Sequence, residues 1–480
     1  MKNESYNTFI FSISSIFENI FGNVWWYSLI HEKNINKSSF FLNYINNKKV
    51  KYSFALSRSV YGALKKYLTV LYLKFSLYRS VDIKDEKHFS VKYLSDHLSF
   101  LKETTEIIIP QHTDYKELKY RQLAYNMISI YNFITLFDFV EIFFRYWYVL
   151  SCFIVYKRFL CWRLKFNGEQ FLGYDVNSFL KQDFYRSFAG DVLMEGLMYE
   201  YAFSNLKKRA LSAKKIVYVY EGLAWEKALC LQFRDTKVET VGLVCSAVHR
   251  NVLNFFYSRL EVNTMPVPKR LGVLGGFQKQ QFSMFKNVFV YGAGRYSHLK
   301  DIKSNCLTSS IEKNKSILVV LSYDNRNNEA LLKFVKPALG STYNIRILKH
   351  PKAEQIPPKI DYYQTEKRKI VDVFNDYNMV ICSGDTSFVF TAFVYGKLIV
   401  CPVIKGQLIL NPLLENKDTE LEVFKDPMDL KCFVNKVYQF GYSRIYNWSY
   451  HSRNKNRKMI LNKYFDFVTN EEMNRRIFDE

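Results

Sequence analysis

A histidine followed by a proline ends an apolar run in the second half of the chain. The run, NIRILKHP, covers residues 344–351 and finishes with Lys349, His350 and Pro351. We expect a strand here, because Pro351 ends a ladder and disfavours helical geometry at His350. An imidazole at the carboxyl end of a strand, with the Lys349 ammonium beside it, suits a phosphate group. A histidine in an ordinary turn is the alternative.

A second polar group, SGDTS at residues 383–387, follows the apolar run MVIC. A helix-like segment starts directly after it, and hydroxyls at a helix start bind free N–H groups, where the dipole also favours an anion. Ser383, Thr386 and Ser387 therefore predict a phosphate contact, with simple capping as the alternative. Because this loop and His350 end what we expect to be consecutive strands 36 residues apart, we expect both to face one phosphate.

A carboxylate follows an apolar run in the first half of the chain. The run KIVYVYEG, residues 215–222, ends in Glu221 and Gly222. Across a cleft from a phosphate site, Glu221 could deprotonate an acceptor hydroxyl or attack a sugar as a nucleophile. A helix-start glutamate that caps the following segment is the alternative, and Glu226 is the rival carboxylate.

Two further sequence patterns, the glycines at 292–294 and Asp324, could belong to a binding site but each has another interpretation. The glycines of GAG, residues 292–294, lack the third glycine of a dinucleotide fingerprint, and an NAD-binding alternative rests on them alone. Asp324, at the end of the run SILVVLSYD, could contact a ribose or an acceptor, or simply lie in a turn. The sequence contains no HExxH, Walker loop, GxSxG or DxD-like metal pair. We therefore expect no metal and no resident cofactor.

These candidates need parallel sheets to position them. Residues 215–248 read as strand, helix and strand, which is a parallel βαβ unit. The proline- and glycine-rich segment 264–277 is the expected linker. Beyond it, β-branched runs alternate with helix-length intervals and predict a second doubly wound domain; they cover residues 287–294, 316–324, 344–351, 378–385 and 397–403.

The expected fold class is α/β, with two Rossmann-like domains that face each other across a cleft and a helix-rich N-terminal region. Residues 1–175 read as mainly helical, with a strand at 23–30. We place an acceptor-side domain at residues 1–275, a nucleotide-donor domain at 276–445 and a basic helical tail at 446–480.

Composition limits the function classes. The 480 residues suit two domains, and 48% hydrophobic content excludes a disordered chain. Lys and Arg outnumber Asp and Glu by 68 to 45, a net charge of +23, which favours a polyanionic partner. No nucleic-acid-binding signature accompanies the charge, so we expect no nucleic-acid partner. The cysteines show no CxxC or metal-ligand spacing and several lie in apolar runs, which is typical of reduced cytosolic thiols.

An aromatic and basic stretch suggests contact with a membrane. The run YWYVLSCFIVY, residues 146–156, has 11 residues between Arg145 and Lys157, and all of them except Ser151 are apolar or aromatic. That is too short for a bilayer span of about 20 residues. A buried helix and an interfacial contact are the two interpretations. With the charge, the second predicts a cytoplasmic protein bound peripherally to the anionic inner face of the membrane.

Taken together, these motifs resemble those of bacterial sialyltransferases and related enzymes of the GT-B architecture. The resemblance implies that His350 and Pro351 contact the phosphate of cytidine monophosphate, that Thr386 with Ser387 holds the same phosphate, and that Glu221 acts as base. It also implies a GT-B-like fold.

Two longer stretches, WWYSLIHEKN at 25–34 and YEGLAWEKAL at 220–229, are similar to surface-carbohydrate biosynthesis proteins. The chain departs from the family pattern in two places. The acidic-acidic-Gly motif reads Tyr-Glu-Gly, and the serine pair reads Thr-Ser. Either departure would fit another mechanism, such as a retaining Kdo transfer with Glu221 as the nucleophile.

The resemblance therefore implies a glycosyltransferase that moves a sialic-acid-like nonulosonic acid or Kdo from a CMP donor to a bacterial surface glycan or lipid-linked glycan. A single phosphate can be held by a histidine, hydroxyls and a helix dipole without a metal. The alternative is another GT-B transferase, which uses a nucleotide-diphosphate sugar or CDP-glycerol. A scaffold without enzymatic activity is the third interpretation.

Overall fold

The structure is a computed structural model that describes residues 14, 17–21, 56–76, 88–91, 105–108, 127–163, 176–210, 212–250, 252, 254–300, 316–322, 325–340, 342–349, 364–365, 376–382, 388–404, 410–416, 419, 421–440 and 450–479.

Within the described residues, the first sheet has seven strands, all parallel, in the order β3-β2-β1-β4-β5-β6-β7. Chain order therefore runs outward from β1 to one edge, then returns to β4 and runs to the other edge. The strands are β1 His88–Val91, β2 Thr105–Ile108, β3 Met127–Ser129, β4 Lys215–Val219, β5 Glu239–Leu243, β6 Arg270–Val273 and β7 Val288–Val290.

Helices cover the first sheet on both faces. They are α1 Leu56–Ser76, α2 Leu136–Arg163, α3 Val176–Ala189, α4 Asp191–Arg209, α5 Ala224–Phe233, α6 Arg259–Thr264 and α7 Gly276–Gln281. The central helix, α4, packs against α1, α2, α3 and α5. Its core-facing side chains recur at helical spacing, as expected for a helix with neighbours on several sides.

The second sheet has six described strands, again all parallel, in the order β10-β9-β8-β11-β12-β13. They are β8 Ser316–Val320, β9 Asn344–Leu348, β10 Gln364–Thr365, β11 Met379–Cys382, β12 Leu398–Pro402 and β13 Leu421–Phe424. Helices α8 Asn325–Leu339, α9 Phe388–Val394 and α10 Pro427–Phe440 accompany them. All residues of β8, β11 and β12 are buried, as is usual for parallel strands with both faces covered.

The last two described helices, α11 Tyr450–Tyr464 and α12 Asn470–Phe478, return to the first domain. Lys215 Nζ donates to the carbonyl of Ile477 at 3.2 Å, and Asp466 N donates to the carbonyl of Leu274 at 2.8 Å. Tyr464 also donates its hydroxyl to the carbonyl of Pro412 in the second domain, at 2.7 Å. The C-terminal segment therefore ties the two domains together.

Three apolar cores follow from the alternation of the strands. Ile216 and Tyr218 of β4 face a core shared with the first-domain helices. Val217 and Val219, on the other face, join a core that includes second-sheet residues and the C-terminal helices. A third core lies between the opposite face of the second sheet and helices α8 and α10. The middle core makes the packing of the two domains continuous.

The predicted fold class is confirmed, since two doubly wound parallel sheets are present and helices dominate the described N-terminal region. Several details differ from the sequence analysis. The run 287–294, predicted to open the second sheet, contributes β7 to the first sheet, and the predicted linker 264–277 contains β6. The region 1–175 also supplies three strands, while the strand predicted at 23–30 lies outside the described residues.

Candidate active site

Each sheet has a point where the chain order reverses. In the first sheet this point lies between β1 and β4, and in the second between β8 and β11. In doubly wound folds, ligands bind outside the carboxyl ends of the strands at this point, because the connections leave on opposite faces and open a crevice. Glu221 follows β4, and the loop 383–387 follows β11. Both predicted motifs therefore belong to strands at a reversal point.

The turn after β4 is held by a buried carboxylate. Glu226, 1% exposed, accepts N–H bonds from Glu221 at 3.0 and 3.1 Å and from Gly222 at 2.8 Å. It lies in the first turn of α5, so helix and strand fix its position together. These bonds occupy both of its oxygens. Glu226, predicted as a rival catalytic group, therefore supports the turn that presents Glu221.

The same turn requires a glycine. Gly222 has φ +72°, a left-handed conformation that L side chains rarely adopt. A Cβ there would come within 2.0 Å of the carbonyl oxygen of Asn254. Asn254 in turn donates its side-chain amide to the carbonyl of Glu221 at 2.6 Å. The loop 254–258 and the turn thus clamp each other.

The Glu221 side chain is half-buried and lies in an electrostatic group with residues that follow β5 and β7. Burial raises the pKa of the neighbouring Cys245 thiol to about 12; Arg295 acts to lower that pKa and Glu221 acts to raise it. The Glu221 carboxylate and the exposed Arg295 guanidinium therefore both lie close enough to Cys245 to influence its pKa, in opposite directions. This edge can both accept a proton and attract an anion.

The two domains meet near this edge. Glu415, which ends the 3-10 helix Pro412–Glu415 after β12, accepts a bond from the backbone N–H of Arg250 and another from Gln281 Nε2, the latter at 2.6 Å. The Nδ1 of His249 lies 3.6 Å from Glu415 Oε1. His249 and Arg250 belong to the loop after β5. The carboxyl-end loops of the first sheet therefore contact the second domain.

Burial shifts the pKa values of His249 and Glu415 at this interdomain contact. Burial and the nearby Arg250 lower the pKa of His249 from 6.5 to about 4. Burial raises the pKa of Glu415, although the N–H of Arg250 and the amide of Gln281 oppose that rise. The Glu415 carboxylate would favour a charged imidazole at this distance. Because Arg250 and Gln281 already engage its oxygens, we take His249 as neutral near pH 7.

The second-domain part of the site is described incompletely. Lys349 ends the described segment after β9, whereas His350, Pro351 and the loop 383–387 lie outside the described residues, as does Asp324. The roles predicted for Ser383, Thr386 and Ser387 remain predictions.

The spacing of these second-domain motifs needs a correction. The strands before His350 and before the 383–387 loop are not consecutive, because β10 intervenes in sequence and β8 lies between β9 and β11 in the sheet. At the usual spacing of about 4.8 Å, the two strand ends lie roughly 10 Å apart. They flank β8 instead of adjoining each other. The segment after β8 is held by Asn328 of helix α8, whose buried side chain makes hydrogen bonds of 2.8 and 2.9 Å with the backbone of Ser322.

Trp225 and the GAG turn have structural roles. Trp225 is fully buried and packs edge-on against Tyr218, so it belongs to the core. The GAG turn packs against the C-terminal segment: a Cβ at Gly292 would lie 2.4 Å from Val468, and Ala293 N donates to the carbonyl of Asp466 at 2.8 Å. That contact fills the place where a dinucleotide would approach the glycines.

Sequence reasoning missed Asn254, Arg295, His249 and Glu415. A search for residues after each strand of the first sheet would have found His249 and Arg295. Asn254 and Glu415 have no local signal, since each acts through a partner far away in sequence.

A separate basic cavity of about 780 Å³ lies at the opposite edge of the first sheet. It is lined at the amino ends of β4 to β7 by residues that include Lys214, Lys237, Lys269 and Lys286. Because ligands of doubly wound sheets bind at the carboxyl ends, this cavity is not part of the candidate site. Among the described residues, no group of three His, Cys, Asp or Glu side chains could hold a metal ion.

The fold and site thus define an α/β protein with two Rossmann-like domains that meet at their carboxyl-end loops. No protein-family model and no curated protein sequence matches this chain. Similar solved structures include HepE from Anabaena in complex with UDP-glucose, at 9% identity and a TM-score of 0.42, covering 82% of this chain and 100% of that chain.

Two further solved structures show the same kind of similarity. MurG from Acinetobacter baumannii is 9% identical, with a TM-score of 0.43 and coverage of 82% of this chain and 100% of that chain. The wall teichoic acid polymerase TagF is 9% identical, with a TM-score of 0.37 and coverage of 92% and 96%. Similarity at this level concerns the arrangement of the fold and assigns no substrate to this chain.

Proposed function

We propose that this chain is a glycosyltransferase that binds a nucleotide-activated donor between its two domains and transfers the donor's sugar to an acceptor held on the first domain. One observation carries the proposal: the Glu221–Gly222 turn and the strand before the loop 383–387 each lie at the reversal point of a doubly wound sheet. The two sheets meet through their carboxyl-end loops. A donor and an acceptor can therefore share one crevice.

The proposed chemistry assigns Glu221 as general base. Its carboxylate accepts the proton of an acceptor hydroxyl, the hydroxyl oxygen bonds to the anomeric carbon, and the bond from that carbon to the donor phosphate oxygen breaks. The electron pair of the broken bond leaves with the nucleotide. The Glu226-bound turn keeps Glu221 in place during this step. In the alternative, Glu221 attacks the anomeric carbon itself and displaces the donor phosphate with its electron pair; the acceptor hydroxyl then attacks the same carbon, loses its proton and releases the Glu221 carboxylate.

The donor has two proposed forms. A CMP-linked nonulosonic acid or Kdo is what the sequence resemblance implies, through His350, Thr386 and Ser387. The alternative is a nucleotide-diphosphate sugar or CDP-glycerol. HepE, whose structure was solved in complex with UDP-glucose, is an example of a similar fold that binds a nucleotide-diphosphate sugar. None of the described residues selects the CMP form, so we place the alternative first in order of testing.

The proposed function includes an acceptor and a cellular compartment. We propose a surface glycan or lipid-linked glycan as acceptor and a cytoplasmic site of action. The six cysteines that the structure describes are all free thiols, and four of them are buried. Unpaired buried thiols are typical of a reducing compartment.

Nucleotide release tests the proposal. The full chain is incubated with UDP-sugars, CDP-glycerol and CMP-sugars, and free nucleotide and new glycan products are measured by mass spectrometry. We expect release from one donor class, and a loss of release in Glu221→Gln. Release that persists undiminished in Glu221→Gln would remove Glu221 from the reaction, and absence of release from every donor would overturn the glycosyltransferase proposal.

A further inference from the structure

Exposed apolar side chains are concentrated on two helices of the first domain. Of the 19 large apolar side chains that are exposed in the described part of the chain, 14 lie on α1 and α2. They are Tyr61, Leu68, Tyr72, Phe75, Leu136, Phe137, Val140, Phe144, Trp147, Tyr148, Ile154, Val155, Tyr156 and Phe159. Scattered apolar residues are normal on a protein surface, but a contiguous concentration marks an interaction site.

The exposed side chains of α2 form one continuous face. Seven of them recur at alternating intervals of three and four residues, at positions 137, 140, 144, 147, 151, 154 and 158, where the residues are Phe, Val, Phe, Trp, Ser, Ile and Arg. This is the spacing of a single helix face. Glu141 is the one acidic residue among the exposed positions of residues 136–159. The outward face of α2 is therefore apolar along most of its length.

Helix α1 adds a second face of the same kind. Among the side chains that the structure describes, its exposed residues are Tyr61, Lys65, Leu68, Thr69, Tyr72 and Phe75, so four of the six are apolar or aromatic. The two helices touch at Tyr67, whose ring packs edge-on against Phe139 and whose hydroxyl donates to the Phe139 carbonyl at 3.1 Å. We call the exposed residues of α1 and α2 together the apolar face.

The apolar face cannot become a spanning segment without loss of the core. Residues 136–159 are long and apolar enough to cross a bilayer, but one side of this segment is buried in the protein. Phe139, Tyr146 and Phe153 are among its buried side chains, and the Tyr146 hydroxyl donates to the Ala189 carbonyl at 3.0 Å. The helix is therefore held to the domain on one side and exposed on the other.

The composition and charge of the apolar face indicate what kind of partner binds it. Trp147 and several tyrosines combine an apolar ring with a polar tip, the side-chain type that is enriched at membrane interfaces. Lys65 and Arg158 are exposed on the same helix faces, and the chain carries a net charge of +23. An anionic bilayer matches both the aromatic residues and the positive charge.

We propose that the apolar face is a membrane-docking surface, which inserts the outward side chains of α1 and α2 into the interface of an anionic bilayer while the buried side of α2 stays in the protein core. This inference does not depend on the proposed glycosyl transfer. It assigns the protein to a bilayer surface as a monotopic protein and excludes a transmembrane role for α2.

Vesicle flotation tests the proposal with the full chain. Vesicles of phosphatidylglycerol mixed with phosphatidylcholine, and of phosphatidylcholine alone, are compared for wild type, Tyr72→Glu/Phe144→Glu and the control Met428→Glu/Phe440→Glu. Met428 and Phe440 are exposed in the second domain, so their replacement adds the same two negative charges away from the apolar face. We expect wild type and control to bind the anionic vesicles and the double variant to bind at least tenfold more weakly.

Salt and fluorescence separate insertion from plain charge attraction. At about 1 M salt, where the Debye length is about 3 Å, wild type should keep residual binding that the double variant lacks. Quenching of tryptophan emission by brominated lipid should fall in Trp147→Phe, because Trp147 is on the apolar face. Circular dichroism and thermal unfolding confirm that each variant is folded.

Three results would overturn the proposal. They are no binding of wild type to anionic vesicles, equal binding by the double variant, and quenching that is the same with and without Trp147. A dimer that dissociates in the double variant, without any vesicle binding, would assign the apolar face to a second copy of the chain instead.

Discussion

Replacing Glu226 by glutamine tests whether this carboxylate stabilises the Glu221–Gly222 turn or takes part in the reaction. The Glu226 carboxylate is buried and accepts bonds from the N–H groups of Glu221 and Gly222 at 2.8 to 3.1 Å. Glutamine has nearly the same shape but offers one acceptor oxygen, and its NH₂ group would face a backbone N–H. We therefore expect Glu226→Gln to destabilise the first domain.

The size of the effect follows from the bonds that are lost. A hydrogen bond to a charged group contributes about 1.5–3 kcal/mol, and a buried donor left without an acceptor costs about 1–3 kcal/mol. One oxygen remains to accept in Glu226→Gln, so we expect a loss of about 2–3 kcal/mol in the free energy of unfolding. For a domain of about 200 residues this corresponds to a fall of roughly 4–12 °C in Tm.

Denaturant unfolding and turnover are measured together on Glu226→Gln and Glu221→Gln. The second variant should unfold within about 0.5 kcal/mol of wild type, because glutamine keeps the size and shape of the half-buried Glu221 side chain, while its turnover falls on the order of 100-fold. Wild-type stability in Glu226→Gln would refute the supporting role of this carboxylate. A loss of turnover in Glu226→Gln at full stability would make Glu226, and not Glu221, the catalytic group.

Two more predictions concern the turn and the interdomain contact. Gly222→Ala should destabilise the protein by about 2–4 kcal/mol in denaturant unfolding, because it adds left-handed strain and a clash with the Asn254 carbonyl; unchanged stability would contradict the turn geometry. Burial lowers the pKa of His249 to about 4 in the folded protein, so the unfolded chain takes up a proton first as pH falls below 6.5. The contribution of neutral His249 to the free energy of unfolding is therefore full above pH 6.5 and is lost as pH falls towards 4. That loss is at most about 3 kcal/mol, and His249→Gln should remove this part of the pH dependence; an identical pH profile in the variant would refute it.

Three of the four strands at the reversal points could be predicted from sequence because they are apolar and β-branched. Each of β4, β8 and β11 is a run of four or five residues that is buried along nearly all of its length. Such runs have the same appearance in either sheet, however. The run that forms β7 was therefore assigned to the wrong sheet, since only its pairing with β6 decides its membership.

Other parts could not be predicted because their determinants are distant or weak. Strands β1, β2 and β3 have three or four residues each, too few for a pattern to stand out from the helices around them. The contact between Arg250 and Glu415 joins residues 165 positions apart. The Glu221–Gly222 motif was visible in the sequence, but the three bonds that make Glu226 a support and not a rival are visible only in the structure.

The central claim is that one nucleotide-activated donor binds between the two domains. Calorimetric titration of the full chain with UDP, CDP and CMP tests it most directly, because nucleotide binding requires no knowledge of the sugar or the acceptor. The account predicts one saturable site per chain for one of these nucleotides, with a similar affinity in Glu221→Gln. Absence of binding for all three nucleotides would contradict it.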